Sequence, residues 1–183
     1  MELPQLKIIF AGSVGAGKST SIHAVSDIEP FQTEEIATDE TRHLKRKTTV
    51  GMDYGRMNLD ETTSIQLYGA PGQERFEFMR EILGEGALGV IILINNATES
   101  PLDQLDRYLK TFSAHMQTRS IVVGITFTDV KDTPSLPDYR NFLKKTPDST
   151  IPVFTLDARN SDMVRTLVKT LIYRIDPSLS LKR

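Results

Sequence analysis

Apolar residues fall along the chain in short blocks separated by stretches of helical spacing, and the blocks are of different kinds. Leu6-Lys7-Ile8-Ile9-Phe10-Ala11 is apolar and β-branched, and it runs directly into a glycine-rich turn and a Ser/Thr-containing helix start. That order predicts strand, loop, helix. Tyr54–Leu59 and Thr63–Tyr68 instead alternate polar and apolar positions around Asp60-Glu61, which predicts an antiparallel hairpin. Ala87–Asn95, Arg119–Thr126 and Ile151–Leu156 are further strand candidates, the first two continuously apolar as in strands covered on both faces. Helical periodicity between the strands predicts helices over Lys18–Ser26, Phe76–Leu83, Leu102–His115, Leu136–Lys144 and Asp162–Arg174. This alternation predicts an α/β fold with a mostly parallel central sheet, one antiparallel edge strand and helices on both faces. Ligands of such sheets bind beyond the carboxyl ends of the strands. The stretch from Asp27 to Thr48 follows no periodicity, and in a compact domain a loop of that length usually has a function.

Bulk properties narrow the class. A chain of 183 residues with 39% hydrophobic and 25% charged residues has the length and composition of one folded domain. Its net charge of −2 offers no broad electrostatic footprint for nucleic acid or an anionic membrane, so nucleic-acid binding is not expected. The absence of cysteine excludes disulfides, thiolate metal sites, prenylation and palmitoylation, and Glu2 stands where N-myristoylation requires glycine. The longest apolar run, Ala87–Ile94, is interrupted by Gly89 and falls well short of the roughly 18 residues that span a bilayer. The expectation is a cytoplasmic protein with no membrane anchor of its own.

The chemistry begins at Gly12-Ser13-Val14-Gly15-Ala16-Gly17-Lys18-Ser19, which matches G-x-x-x-x-G-K-[ST] between a predicted strand and a predicted helix. The pattern is that of the phosphate-binding loop of P-loop NTPases. Glycines let successive backbone N–H groups converge on phosphate oxygens, and the helix N-terminus adds its partial positive charge. Lys18 is placed to reach the β- and γ-phosphates, Ser19 offers a hydroxyl to Mg²⁺, and Thr20 continues the nucleotide-binding segment.

Two further segments carry a family resemblance. Thr48-Thr49-Val50-Gly51-Met52-Asp53-Tyr54 resembles the first switch segment of Rab-type small GTPases, and Gly72-Gln73-Glu74-Arg75-Phe76 resembles the second. Within that Ras-like superfamily, Leu67-Tyr68-Gly69-Ala70-Pro71-Gly72-Gln73-Glu74 looks most like the bacterial branch related to the gliding-motility GTPase MglA. The resemblance spans nearly the whole chain and implies a single G domain over 1–183, with switch I at about 30–53 and switch II at about 69–83. It implies that GTP or GDP is bound with Mg²⁺, that Thr49 joins Ser19 as a metal ligand and senses the γ-phosphate, and that the Gly72 amide meets that phosphate. Gln73 then orients the attacking water. It also implies a GTPase-activating partner, of roadblock-type fold in that branch, and a downstream effector that reads the switch segments.

The departures from the pattern are as informative. Gly69 stands where most P-loop NTPases place an aspartate at the end of the strand, which leaves the metal site one carboxylate short. Asp53 is the nearest acidic candidate, although its counterpart in Rab-type proteins is usually a surface residue. Val14 is branched where efficient Ras-type hydrolases keep a small residue, so unaided hydrolysis is expected to be slow. Arg42, Lys45, Arg46 and Lys47 precede Thr49 and offer a cationic finger in cis or simply a solvated basic loop. Gly124-Ile125-Thr126-Phe127-Thr128-Asp129 takes the position of the N-K-x-D base-reading motif, with only the aspartate kept. Phe127 replaces the lysine whose stem covers the base, and Thr126 replaces the asparagine that ties this loop to the phosphate loop. Asp157-Ala158-Arg159 resembles the S-A-K motif, whose alanine amide meets guanine O6. A signalling GTPase, a pseudo-GTPase interaction module with nucleotide as a structural ligand, and a P-loop ATPase or kinase are the readings this sequence admits.

Overall fold

The computed structural model describes residues 6–32, 52–61, 63–72, 86–114, 120–147 and 150–177. Seven strands form one sheet: β1 (Leu6–Ala11), β2 (Phe31–Gln32), β3 (Asp53–Asn58), β4 (Ser64–Gly69), β5 (Gly89–Asn95), β6 (Ile121–Thr126) and β7 (Val153–Thr155). Four described helices accompany them: α1 (Lys18–Val25), α2 (Pro101–Ser113), α3 (Leu136–Leu143) and α4 (Ser161–Ile175). The helix expected over Phe76–Leu83 lies outside the described residues.

The strand order is β2-β3-β4-β1-β5-β6-β7, with β1, β4, β5, β6 and β7 parallel and β3 antiparallel to β4. The mostly parallel α/β architecture is thus as the pattern predicts. The antiparallel strand, however, is not the outermost, because the two-residue β2 pairs with it on the far side. Periodicity has no purchase on two residues. What accompanies that pairing is an aromatic ladder across the sheet: Phe31 and Tyr54 lie opposite each other with ring centroids 5.0 Å apart, and Tyr54 and Tyr68 follow at 5.1 Å.

Continuous apolar runs in β1, β5 and β6 are explained by burial on both faces. Ile9, Val90, Ile92 and Ile94 point to one side and pack with Leu105, Tyr108 and Phe112 of α2 and with Tyr139 and Leu143 of α3. Ile8, Phe10, Ile91 and Leu93 point to the other and pack with Ile22 and Val25 of α1 and Val164, Leu167 and Leu171 of α4. The hairpin joins the second layer mainly, through Met57, Ile65 and Leu67, while its opposite face is half-buried to exposed, with Tyr68 packed on the edge of the first layer. That one-sided burial is why its sequence alternates.

Helix α1 is short and mostly polar, so its position on the sheet depends on fit. It approaches β3 at Gly55, where an added Cβ would stand 2.7 Å from Ile22 Cγ2 and 2.9 Å from Ser26 Oγ. Ser26 Oγ in turn accepts from the Arg56 amide at 3.1 Å. This close seating holds the C-terminal half of α1 against the middle of β3. Gly55→Val should therefore destabilise the fold by about 1–3 kcal/mol through overpacking, read as a lowered midpoint in chemical denaturation.

Candidate functional site

The link between β1 and α1 turns so sharply that it passes through three glycines of positive φ, Gly12 at 150°, Gly15 at 76° and Gly17 at 96°. At Gly12 space is also closed, since a Cβ there would lie 2.3 Å from the carbonyl oxygen of Leu93 on β5. Gly17 caps α1, whose first turn contains no acidic residue to offset its positive end. Lys18 is buried, and its ammonium donates to the carbonyls of Gly12 at 2.9 Å and Ser13 at 2.8 Å, which holds it at the mouth of the loop. Val14 is 68% exposed at the crest of the loop.

Residues from the far side of the hairpin reach this loop. Gly72 lies against it so closely that a Cβ would meet the Val14 amide nitrogen at 2.5 Å and Lys18 Nζ at 2.9 Å. The segment expected to contact the γ-phosphate is therefore adjacent to the lysine expected to do the same. Thr49, Gln73 and the basic run Arg42, Lys45, Arg46 and Lys47 lie outside the described residues. Ser19, the expected metal ligand, donates its hydroxyl hydrogen to Asp53 Oδ2 at 2.6 Å. Among the described residues no group of three or more His, Cys, Asp or Glu gathers to hold a metal. A divalent cation here would draw on hard oxygen donors, the Ser19 hydroxyl and phosphate oxygens, a set that fits Mg²⁺.

The base-reading candidates come together in one cavity of about 540 Å³, lined by Gly17, Thr20, Phe127, Asp129, Asp157, Ala158 and Arg159 among others. The volume is in the range of small-molecule sites. Thr126, buried at the end of β6, shares its hydroxyl hydrogen between Ala16 O at 3.0 Å and Ile94 O at 3.2 Å. It thus ties the loop after β6 to the phosphate loop, the work expected of an asparagine. Gly17 also faces Ala158, where an added Cβ would be 3.0 Å from the alanine methyl.

Phe127 adopts φ 57°, a conformation that costs a bulky residue about 1–3 kcal/mol and persists only where the surroundings impose it. They do so here, because its carbonyl accepts from both the Val130 and Lys131 amides at 3.2 Å. The ring remains 40% exposed at the cavity. Arg159 grips Asp157 with two hydrogen bonds of 2.9 Å, which hold the Asp157 carboxyl below the usual aspartate range and the guanidinium above its own. Asp129 adds a weaker attraction on the same guanidinium.

One supporting residue escapes sequence reading. Asn96, fully buried just beyond β5, donates to the carbonyls of Lys131 at 2.6 Å and Pro134 at 3.2 Å and accepts from the Tyr139 hydroxyl at 2.7 Å. Burial pushes the Tyr139 hydroxyl far above its ordinary pKa, so it stays a donor at any physiological pH. The amide fastens the segment following Asp129 to the core. The only sequence signal was a polar residue ending an apolar run, which many loops share.

Fold and loop together define a P-loop nucleotide-binding protein with a G-domain-like architecture. Residues 27–172 match the family described as conserved hypothetical ATP binding protein, and the chain belongs to that family. The matched span begins beyond the phosphate loop. Among solved structures, the crystal structure of the G domain of the T. maritima FeoB iron transporter is similar, with a TM-score of 0.63 and 18% identity. The match covers 93% of this chain and 98% of that one. At that identity the likeness is one of fold. Among the described residues no helix is long and apolar enough to cross a membrane.

Replacing Asn96 by alanine should strand the Tyr139 hydroxyl and two loop carbonyls and cost about 1–3 kcal/mol, with nucleotide affinity falling further than stability as the base loop loosens. Urea denaturation and nucleotide titration of the same variant check both effects.

Proposed function

We propose that this chain is a small GTPase: a single G domain that binds GTP or GDP with Mg²⁺ and hydrolyses GTP slowly, its two switch segments ordered by the γ-phosphate and released by hydrolysis. The observation that carries the reading is the joint placement of Asp129, Phe127 and Ala158 around one cavity that opens beside Gly17 and Thr20 of the phosphate loop. A carboxylate there accepts from guanine N1–H and the exocyclic N2 amine, whereas adenine turns an acceptor, N1, toward it. The family's description speaks of ATP, so the base is the point to test. The closer relation to the MglA-related branch rests on the quoted residues alone.

In this reading Lys18 and the loop amides bind the β- and γ-phosphates, and Ser19 and Thr49 hold the cation, which supplies positive charge to the terminal phosphates. Gln73 orients a water whose oxygen forms a bond to the γ-phosphorus while the bond to the β–γ bridging oxygen breaks, leaving GDP and phosphate. Val14, exposed on the loop crest, restricts the space beside the γ-phosphate and slows the step. A GTPase-activating partner, of roadblock type by family resemblance, speeds it, and an effector reads the ordered switch segments. The protein works in the cytoplasm.

Competition between GTP, ATP and XTP for a fluorescent guanine nucleotide tests the base. GTP should compete far better than ATP in the unaltered chain, and Asp129→Asn should shift preference toward XTP, because its amide donates to the xanthine C2 oxygen. Preference for ATP would reassign the protein to an ATPase. Gln73→Leu should leave GTP affinity nearly unchanged and lower single-turnover hydrolysis by about tenfold or more, since its partner is the attacking water. Equal turnover in parent and variant would favour a binding module that does not cycle.

A further inference from the structure

The end of β4 lacks an acidic side chain, yet the α1 N-terminus is not without one. Asp53 and Gly69 face each other directly in the antiparallel β3–β4 ladder, so their Cα–Cβ vectors leave the same face of the sheet. That face is the one α1 covers, as the burial of Gly55, Met57, Ile65 and Leu67 alongside them shows. The C-terminal half of α1 seats tightly on Gly55, and its first turn lies at the start of β3. There Ser19 donates to Asp53 Oδ2 at 2.6 Å, and the aspartate is only 8% exposed.

The empty volume at Gly69 is filled by the same carboxylate. A Cβ at position 69 would lie 2.8 Å from Asp53 Oδ2 and 3.0 Å from Asp53 Cβ. A side chain at position 69 would therefore displace the Asp53 carboxylate from its place beside Ser19. One carboxylate serves the site, and the glycine across the ladder is what leaves room for it to come from β3. A serine hydroxyl has one hydrogen, and giving it to Asp53 leaves the oxygen's lone pairs to a cation at the helix N-terminus. A charge so placed has a role on a loop built for phosphate, where an anion would otherwise repel the ligand.

Resting on the magnesium–nucleotide reading above, we infer that Asp53 is the acidic residue of the metal site, transplanted from the end of β4 to the facing position of β3, where it orients Ser19 and strengthens retention of the Mg²⁺–nucleotide complex. Gly69 is then a specificity feature of this arrangement and no deficit. With Asp53 in place, an aspartate added at position 69 crowds and repels it instead of improving metal coupling.

The test is the release rate of fluorescent GDP from the full chain, measured with excess Mg²⁺ and with EDTA. The ratio of the two rates reports how strongly the metal holds the nucleotide. Asp53→Asn, nearly isosteric, should reduce that ratio by about tenfold or more while leaving the EDTA rate close to that of the unaltered chain, because removal of a group supporting a metal ligand typically costs 10- to 100-fold in metal affinity. Gly69→Asp alone should lower thermal stability. The paired exchange Asp53→Gly with Gly69→Asp should recover much of the ratio, since it returns one carboxylate to the same volume. An unchanged ratio in Asp53→Asn overturns the inference, as does a parallel rise of both rates, which marks a merely structural role, or a ratio near one in the unaltered chain. If Asp53→Asn does not fold, the exchange decides: a folded exchange variant with a ratio near one rejects the inference. Failure of the unaltered chain to bind guanine nucleotide in EDTA as well as Mg²⁺ would instead reject the functional reading beneath it.

Discussion

The turn from β1 into α1 closes only because Gly12 has no side chain to strike the Leu93 carbonyl and Gly17 accepts a left-handed backbone. Everything else in the site is positioned by reference to that turn. Thr126 reaches it through Ala16, Ala158 packs on Gly17, Gly72 lies against Val14 and Lys18, and Asp53 meets it through Ser19. Strands β1, β5 and β6 are covered on both faces and end beside it, so the loops are carried on a scaffold with little freedom to move. This is the usual division of labour in α/β proteins, with rigid strands beneath and chemistry in the loops at their carboxyl ends.

The polar groups of the site are matched across loops and seldom within them. Lys18 is held by carbonyls of the loop it leaves, but Thr126, Asn96 and Asp53 all bond residues more than thirty positions away. A buried polar group without a partner costs about 1–3 kcal/mol, so each of these contacts specifies where a loop must lie more than it adds net stability. The Asp157–Arg159 pair is different. It is exposed and local, contributes little to stability, and its bidentate geometry chiefly fixes where the guanidinium stands at the edge of the cavity.

Strain is concentrated in the same place. Phe127 keeps a left-handed backbone because two amides bind its carbonyl, its neighbour Thr126 is buried, and Asn96 secures the following segment. The residue in that conformation lines the cavity beside Asp129.

The fold class and the phosphate-loop motif were legible in the chain, because each is written in local spacing: alternation, unbroken apolar runs, and glycines at fixed offsets from a lysine; the residues of the two candidate base-reading loops could be named there too, and the structure brings them to one cavity. The sequence located the strands to within a residue or two and read Thr126 as a tie to the phosphate loop. It missed β2, whose Phe31 makes a ring contact with Tyr54 across the sheet, and it missed Asn96, whose partners come from a loop and a helix elsewhere in the chain. It named Asp53 as an acidic candidate beside the empty Gly69, sixteen residues further on, but not which groups it would meet. That was settled by the pairing of strands. The antiparallel register sets those two positions face to face, and the docking of α1 on this face of the hairpin leaves Ser19 within 2.6 Å of the carboxylate. Pairing across strands depends on register and on helix docking, and neither leaves a period in the chain.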